Sequence, residues 1–224
     1  MDTYFTSTLF NKMLAALSGL FLVLFLIGHL AGNLQLIILS EDIAQKQFNE
    51  YAKFMTTNPG VKILSLLTYG SILLHTILTL SLAFQSKRAR PVSYAASHGS
   101  NNATWISRNM PLLGIFILIF LVVHLRSFWY EMHWGTIGDD PWGNRDLFTV
   151  TVTAFKELWY VIFYVFSFIL LSFHLQHGIA SGFQSLGLKT KKYIKTIEKL
   201  AIALAILIPM AFASIPIIIY LEAH

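Results

Sequence analysis

The sequence predicts an all-α integral membrane protein. Five transmembrane helices form one domain over residues 1–224, with the N-terminus cytoplasmic and the C-terminus periplasmic. Three observations predict this. Hydrophobic residues make up 55% of the chain and charged residues only 12%, against about 25% charged in soluble domains, and mean hydropathy is +0.62. Five apolar runs, over residues 13–39, 61–84, 110–130, 158–183 and 200–221, each reach the roughly 20 residues needed to cross a bilayer. Basic residues gather in alternate connections. The second holds Lys87, Arg88, Arg90 and Arg108 with no acid, and the fourth holds Lys189, Lys191, Lys192, Lys195 and Lys199 against Glu198. The positive-inside rule places both in the cytoplasm.

The first run is too long for a signal-peptide core of roughly 7–15 residues and is expected to remain as a span. The connection after it, "SEDIAQKQFNEYAKFMTTNPG", reads as a short amphipathic helix capped by Ser40 and ended by Asn58–Pro59–Gly60. Phe48, Tyr51 and Met55 share one face of it. The second connection is polar and irregular. The third carries Glu131, Asp139, Asp140 and Asp146 among Trp129, Tyr130, Trp134 and Trp142, as suits an interfacial belt. The absence of cysteine excludes disulfides, a thiolate-held iron–sulfur cluster within the chain and covalent haem attachment.

Histidine is where the spans depart from simple apolarity. Of eight histidines, four occur once in each of the first four spans: His29, His75, His124 and His174. Ionisable residues within a bilayer are costly and suggest function. A lone one is more often a packing or hydrogen-bonding residue, so depth is the deciding feature. At about 1.5 Å per residue, His29 lies roughly 15 Å and His124 roughly 9 Å from the outer ends of their spans. His75 lies roughly 21 Å and His174 roughly 24 Å from theirs. The four therefore sort into an outer pair, His29 with His124, and an inner pair, His75 with His174.

Two imidazoles at one level can ligate a porphyrin iron, and a helix bundle can hold such a group in its core. Gly32, Ser71, Ser127 and Gly178, each within about a turn of a candidate ligand, are expected to make room for it. The implied cofactor is two b-type haems with both axial positions filled, which favours electron transfer. A transporter using these histidines for metal or protons is the competing class. Zinc sites, however, usually bring acids or thiols in a close cluster, and the spans hold almost no acids.

The motifs "GLFLVLFLIGHLAGN", the lone His75 of span two, "VVHLRSFWYE" and "FHLQHG" followed by "GFQSLG" resemble the cytochrome b membrane-anchor subunit of bacterial succinate dehydrogenase and fumarate reductase. The likeness is to the single-chain, five-helix, di-haem type, closest to forms that use menaquinone. It covers nearly the whole chain through short motifs in a specific order. It implies His75 and His174 as ligands of the inner haem and His29 and His124 as ligands of the outer haem. It also implies a bacterial cytoplasmic membrane location. The implied partners are a flavoprotein subunit with FAD and an iron–sulfur subunit on the cytoplasmic face, beside membrane lipid and a quinone. No nucleic-acid partner is expected. Dicarboxylate chemistry would belong to those subunits, and electron transfer and quinone binding to this chain. An anchor for another quinone-linked dehydrogenase is the alternative within the same class.

Secondary candidates follow. Arg126 would pair with a propionate of the outer haem or snorkel to the interface. Lys87, Arg88 and Arg108 would lie near the inner haem or serve topology. Glu50 is the candidate proton donor to quinone, against a solvated helix face. Asn33, one turn beyond His29, would bond haem, quinone or backbone, with Gln35 a weaker candidate. Ser18 and Gly19 read as helix packing. His177, a turn beyond His174, is a neighbour with a polar or structural role, and His98, His133 and His224 need none.

Overall fold

The computed structural model describes residues 7–89 and 105–224, of which 86% are helical with no strand among them. Arg90, His98 and most of the second connection lie outside the described residues. Helix α1 (Thr8–Asn33) is interrupted at Leu34 and resumes as α2 (Gln35–Ile38). Helices α3 (Glu41–Thr57) and α4 (Pro59–Arg88) follow. Helix α5 (Trp105–His124) passes through a π turn (Leu125–Trp129) into α6 (Tyr130–Trp134). Helices α7 (Leu147–Phe155), α8 (Leu158–Ser185) and α9 (Ile194–Ala223) complete the chain.

Five helical stretches are long and apolar enough to cross a membrane: Thr8–Ile38, Pro59–Arg88, Trp105–Trp134, Leu158–Ser185 and Ile194–Ala223. The helices overrun the apolar runs by several residues, because polar side chains at their ends do not oppose helix. Large apolar residues such as Leu66, Phe84 and Leu207 stand on the outside. That exterior suits hydrocarbon, where only the backbone must be satisfied internally.

Local chemistry sets the helix boundaries. Asn58 stops α3 and starts α4: its side-chain oxygen accepts from the N–H groups of Gly60 and Val61, and Pro59 sits where its missing N–H costs nothing. Ser40 occupies the N-cap position of α3, but its hydroxyl makes no capping bond; its carbonyl accepts from Ala44 N–H instead. At the end of α8, Gly187 takes φ +73°. Leu188 N–H then reaches Phe183 and Gly187 N–H reaches Gln184, closing the helix by a Schellman motif.

Around the bundle, α1 lies between α4 and α8, α5 packs on the far side of α8, and α4 and α5 meet only lightly. Helix α9 covers α8 and touches α1. Two diagonals result, α1 to α5 and α4 to α8, and the helices on each diagonal are not direct neighbours.

A second layer closes one end of the bundle. There α3 packs on α7, a helix within the third connection between the apolar runs. Asn49, fully buried on α3, joins them. Its amide donates to Asp140 Oδ2 at 3.2 Å and Asp146 Oδ1 at 2.9 Å, and its oxygen accepts from Phe148 N–H at 2.9 Å. Asp140 also accepts from the N–H groups of Trp142 and Asn144. Burial opposes ionisation of Asp140 and Asp146, but the hydrogen bonds they accept outweigh it and hold both carboxyls below the usual range.

Candidate functional site

Four imidazoles point into the bundle from the four helices of its two diagonals. The rings of His29 on α1 and His124 on α5 are 5.7 Å apart between centroids and perpendicular at 89°. The rings of His75 on α4 and His174 on α8 are 6.3 Å apart at 75°. Each pair bridges helices that otherwise barely touch. A metal held on a line between two imidazoles, with bonds of about 2.0 Å, puts the ring centroids roughly 6 Å apart. The imidazole facing His75 is that of His174; His177 lies partly buried one turn on.

The surroundings of His75 set its tautomer. Its Nδ1 lies 3.0 Å from the carbonyl oxygen of Ala15 on α1 and 3.5 Å from Ser18 Oγ. A carbonyl only accepts, so Nδ1 carries the hydrogen and Nε2 keeps its lone pair. Gly19 lets the ring in: a Cβ there would stand 2.8 Å from His75 Cε1. Ser18 and Gly19, read from sequence as helix packing, thus form the seat of an imidazole. Opposite, His174 Nδ1 is buried without a hydrogen-bond partner among the described residues. Such an orphaned polar atom requires an explanation, and a ligand at this level is one.

The other level is lined with aromatic rings. Phe25 stacks on His29 at 5.3 Å and Phe120 on His124 at 5.7 Å, each one helical turn before the histidine it covers. His124 Nδ1 lies 3.1 Å from the hydroxyl of Tyr164, which lies 3.2 Å from that of Tyr160.

Small residues do less than the sequence implied. Gly32 does not open space beside His29; a Cβ there would fall 2.5–2.7 Å from the ring and hydroxyl of Tyr51, so the position admits the α3 tyrosine. Burial pushes the Tyr51 phenol up. Gly178, one turn beyond His174, has open space around its Cβ position.

The remaining candidates separate. Asn33 Nδ2 donates to the carbonyl of His29 at 2.8 Å and lies 3.4 Å from its Nδ1, and Gln35 donates to the Gly32 carbonyl at 3.0 Å. Both serve first the backbone at the end of α1. Arg126 pairs with Glu131 and lies over the Tyr130 ring. Glu50 stands exposed on α3. Lys87 and Arg88 end α4, Arg108 lies in the first turn of α5, and Lys189 pairs with Glu198 at 3.0 Å. His133 donates to the Trp129 carbonyl and His224 to that of Tyr220.

No family model, curated protein or solved structure matches the chain. Its reading therefore rests on the residues themselves. Among the described residues no group of three or more His, Cys, Asp or Glu is placed to hold a metal ion; the imidazoles come as two separate twos.

The seat of Ala15, Ser18 and Gly19 and the Tyr160–Tyr164 pair were not anticipated from sequence. The tyrosines did leave a signal. Two phenols four residues apart in an apolar helix share a face and need polar partners.

Proposed function

We propose that this chain is the membrane anchor and electron-transfer subunit of a bacterial succinate:quinone oxidoreductase. It passes electrons between an iron–sulfur subunit and menaquinone. The observation that carries the reading is the pair of imidazole twos, one on each diagonal at a different level, with spacings near that of two ligands on one metal. The pattern fits two b-type haems, with His75 and His174 holding the inner and His29 and His124 the outer. Held by these imidazoles, each haem would supply one-electron transfer.

The chain's own residues have separate tasks in this scheme. The Ala15 carbonyl fixes the hydrogen of His75 on Nδ1 and leaves Nε2 free to ligate. Phe25 and Phe120 exclude water from the outer level. Glu50, exposed on α3, would exchange protons with solvent on the outer side, as reduction of a quinone requires. The cationic ends around Lys87, Arg88 and Lys189–Lys199 face the cytoplasm by the positive-inside rule and meet the iron–sulfur subunit, which binds the FAD-carrying flavoprotein.

The test is a reduced-minus-oxidised optical spectrum of the complex purified from membranes through this chain, with succinate as reductant. The reading expects a haem b alpha band and co-purifying covalent flavin. A chain without haem would refute it and favour the transporter class. Haem without flavin would assign the anchor to another dehydrogenase.

A further inference from the structure

Two buried phenols line the His29–His124 level. Tyr164 is 2% and Tyr160 5% exposed, in the first two turns of α8. A hydroxyl in such surroundings is costly unless bonded. Tyr164 has two partners: Tyr160 at 3.2 Å, one turn back on the same helix, and His124 Nδ1 at 3.1 Å across the bundle. Packing holds its ring in place, with Phe120 at 5.0 Å, Phe155 at 5.1 Å and Phe168 at 5.9 Å between centroids. The imidazole is constrained as well. His124 ends α5 where the backbone opens into the π turn of Leu125–Trp129, and Tyr130 N–H bonds to Leu125 across it. Such turns recur at functional sites.

The geometry points to Tyr164 as the positioning residue of His124, with Tyr160 as its support, setting the reduction potential of the His29–His124 level alone. This rests on the haem reading above. An imidazole that gives Nε2 to a metal must carry its hydrogen on Nδ1. Tyr164 oxygen then accepts that hydrogen, and the Tyr164 proton turns to Tyr160. Accepting from the Nδ1 hydrogen makes the imidazole a more basic ligand and favours the oxidised metal. The other level is built differently: the partner of His75 there is the Ala15 backbone carbonyl. The two levels are therefore tuned by independent groups: a phenol at one, and at the other a backbone carbonyl with the Ser18 hydroxyl 3.5 Å from the same nitrogen.

The experiment is an optical redox titration of the full chain in detergent, as wild type, Tyr164→Phe, Tyr160→Phe and His29→Ala. The wave missing in His29→Ala marks the level concerned. The inference expects that wave to move to higher potential in Tyr164→Phe, with the other wave in place. It also expects haem affinity at that level to fall about 10- to 100-fold, the usual effect of losing a partner of a metal-bound histidine. Tyr160→Phe, which keeps the Tyr164 hydroxyl, is expected to shift the same wave less. An unmoved wave in Tyr164→Phe overturns the inference, as does an equal shift of both waves, which would be general loosening. If Tyr164→Phe loses both waves by misfolding, Tyr160→Phe decides, and an unmoved wave there overturns it. A wild type with no wave sinks the haem reading and this inference together, an outcome distinct from all the others.

Discussion

Gly19→Ala is the smallest change that reaches the His75–His174 level. The added Cβ would stand 2.8 Å from His75 Cε1 and 3.1 Å from Nδ1, where ordinary contact begins near 3.4 Å. The ring must therefore retreat by about 0.6 Å, the difference of those distances. Ala15 lies one turn before Gly19 on the same helix, so a retreat of the ring from α1 lengthens its 3.0 Å contact with the Ala15 carbonyl. Losing that bond leaves a partly buried N–H without its acceptor, at a cost of about 1–3 kcal/mol, equivalent to roughly 5- to 150-fold in ligand affinity. Alanine is the better helix former, so a weakened α1 is not the cause of any loss. The assay is titration of haem-depleted protein with ferric haem b, read by its absorption. Two equivalents are expected for the wild type. In Gly19→Ala one equivalent should weaken by that factor while the equivalent at His29–His124 is unchanged. Two equivalents at wild-type affinity would refute the claim that Gly19 seats a ligand.

Three further outcomes are expected. Gly178→Ala meets no packed side chain of the described residues within 4 Å and puts a better helix former inside α8, so thermal unfolding of the haem-free chain should not shift to lower temperature; a fall in haem content would show that the open space beside His174 belongs to the cofactor. Asn49→Ala strips a partner from each of two carboxylates and from Phe148 N–H, and should cost about 2–4 kcal/mol, seen as a lower unfolding midpoint in detergent with His75–His174 haem retained. Stability should also respond to acid. Asp140 and Asp146 are held below the usual carboxylate range, so their contribution is full above an ordinary pKa of about 4 and disappears as pH falls through the lowered native value. Asp140→Asn should flatten the dependence of the unfolding midpoint on pH in that range.

What the sequence disclosed is what lies along one dimension. Span length, charge alternation and the depth of a histidine follow from counting residues, and the same four imidazoles stand in the same two pairs in the bundle. Which face of a helix turns inward depends on its neighbours, so the seat of His75 on Ala15 and Gly19 was not legible. The Tyr164 contact joins positions 40 residues apart, and the Asn49 contacts join positions more than 90 apart. Helix α7, "LFTVTVTAF", was missed because β-branched residues are weak helix formers; packing on α3 decides its state. Gly32 was misjudged because a small residue announces close approach without naming the visitor, here Tyr51.

The central claim is that each imidazole pair holds one haem. Haem and iron per chain, measured on purified wild type, His29→Ala, His75→Ala and the double variant, test it most directly. Two haems are expected in the wild type, one in each single variant and none in the double. Two haems retained in either single variant, or no haem in the wild type, would contradict it.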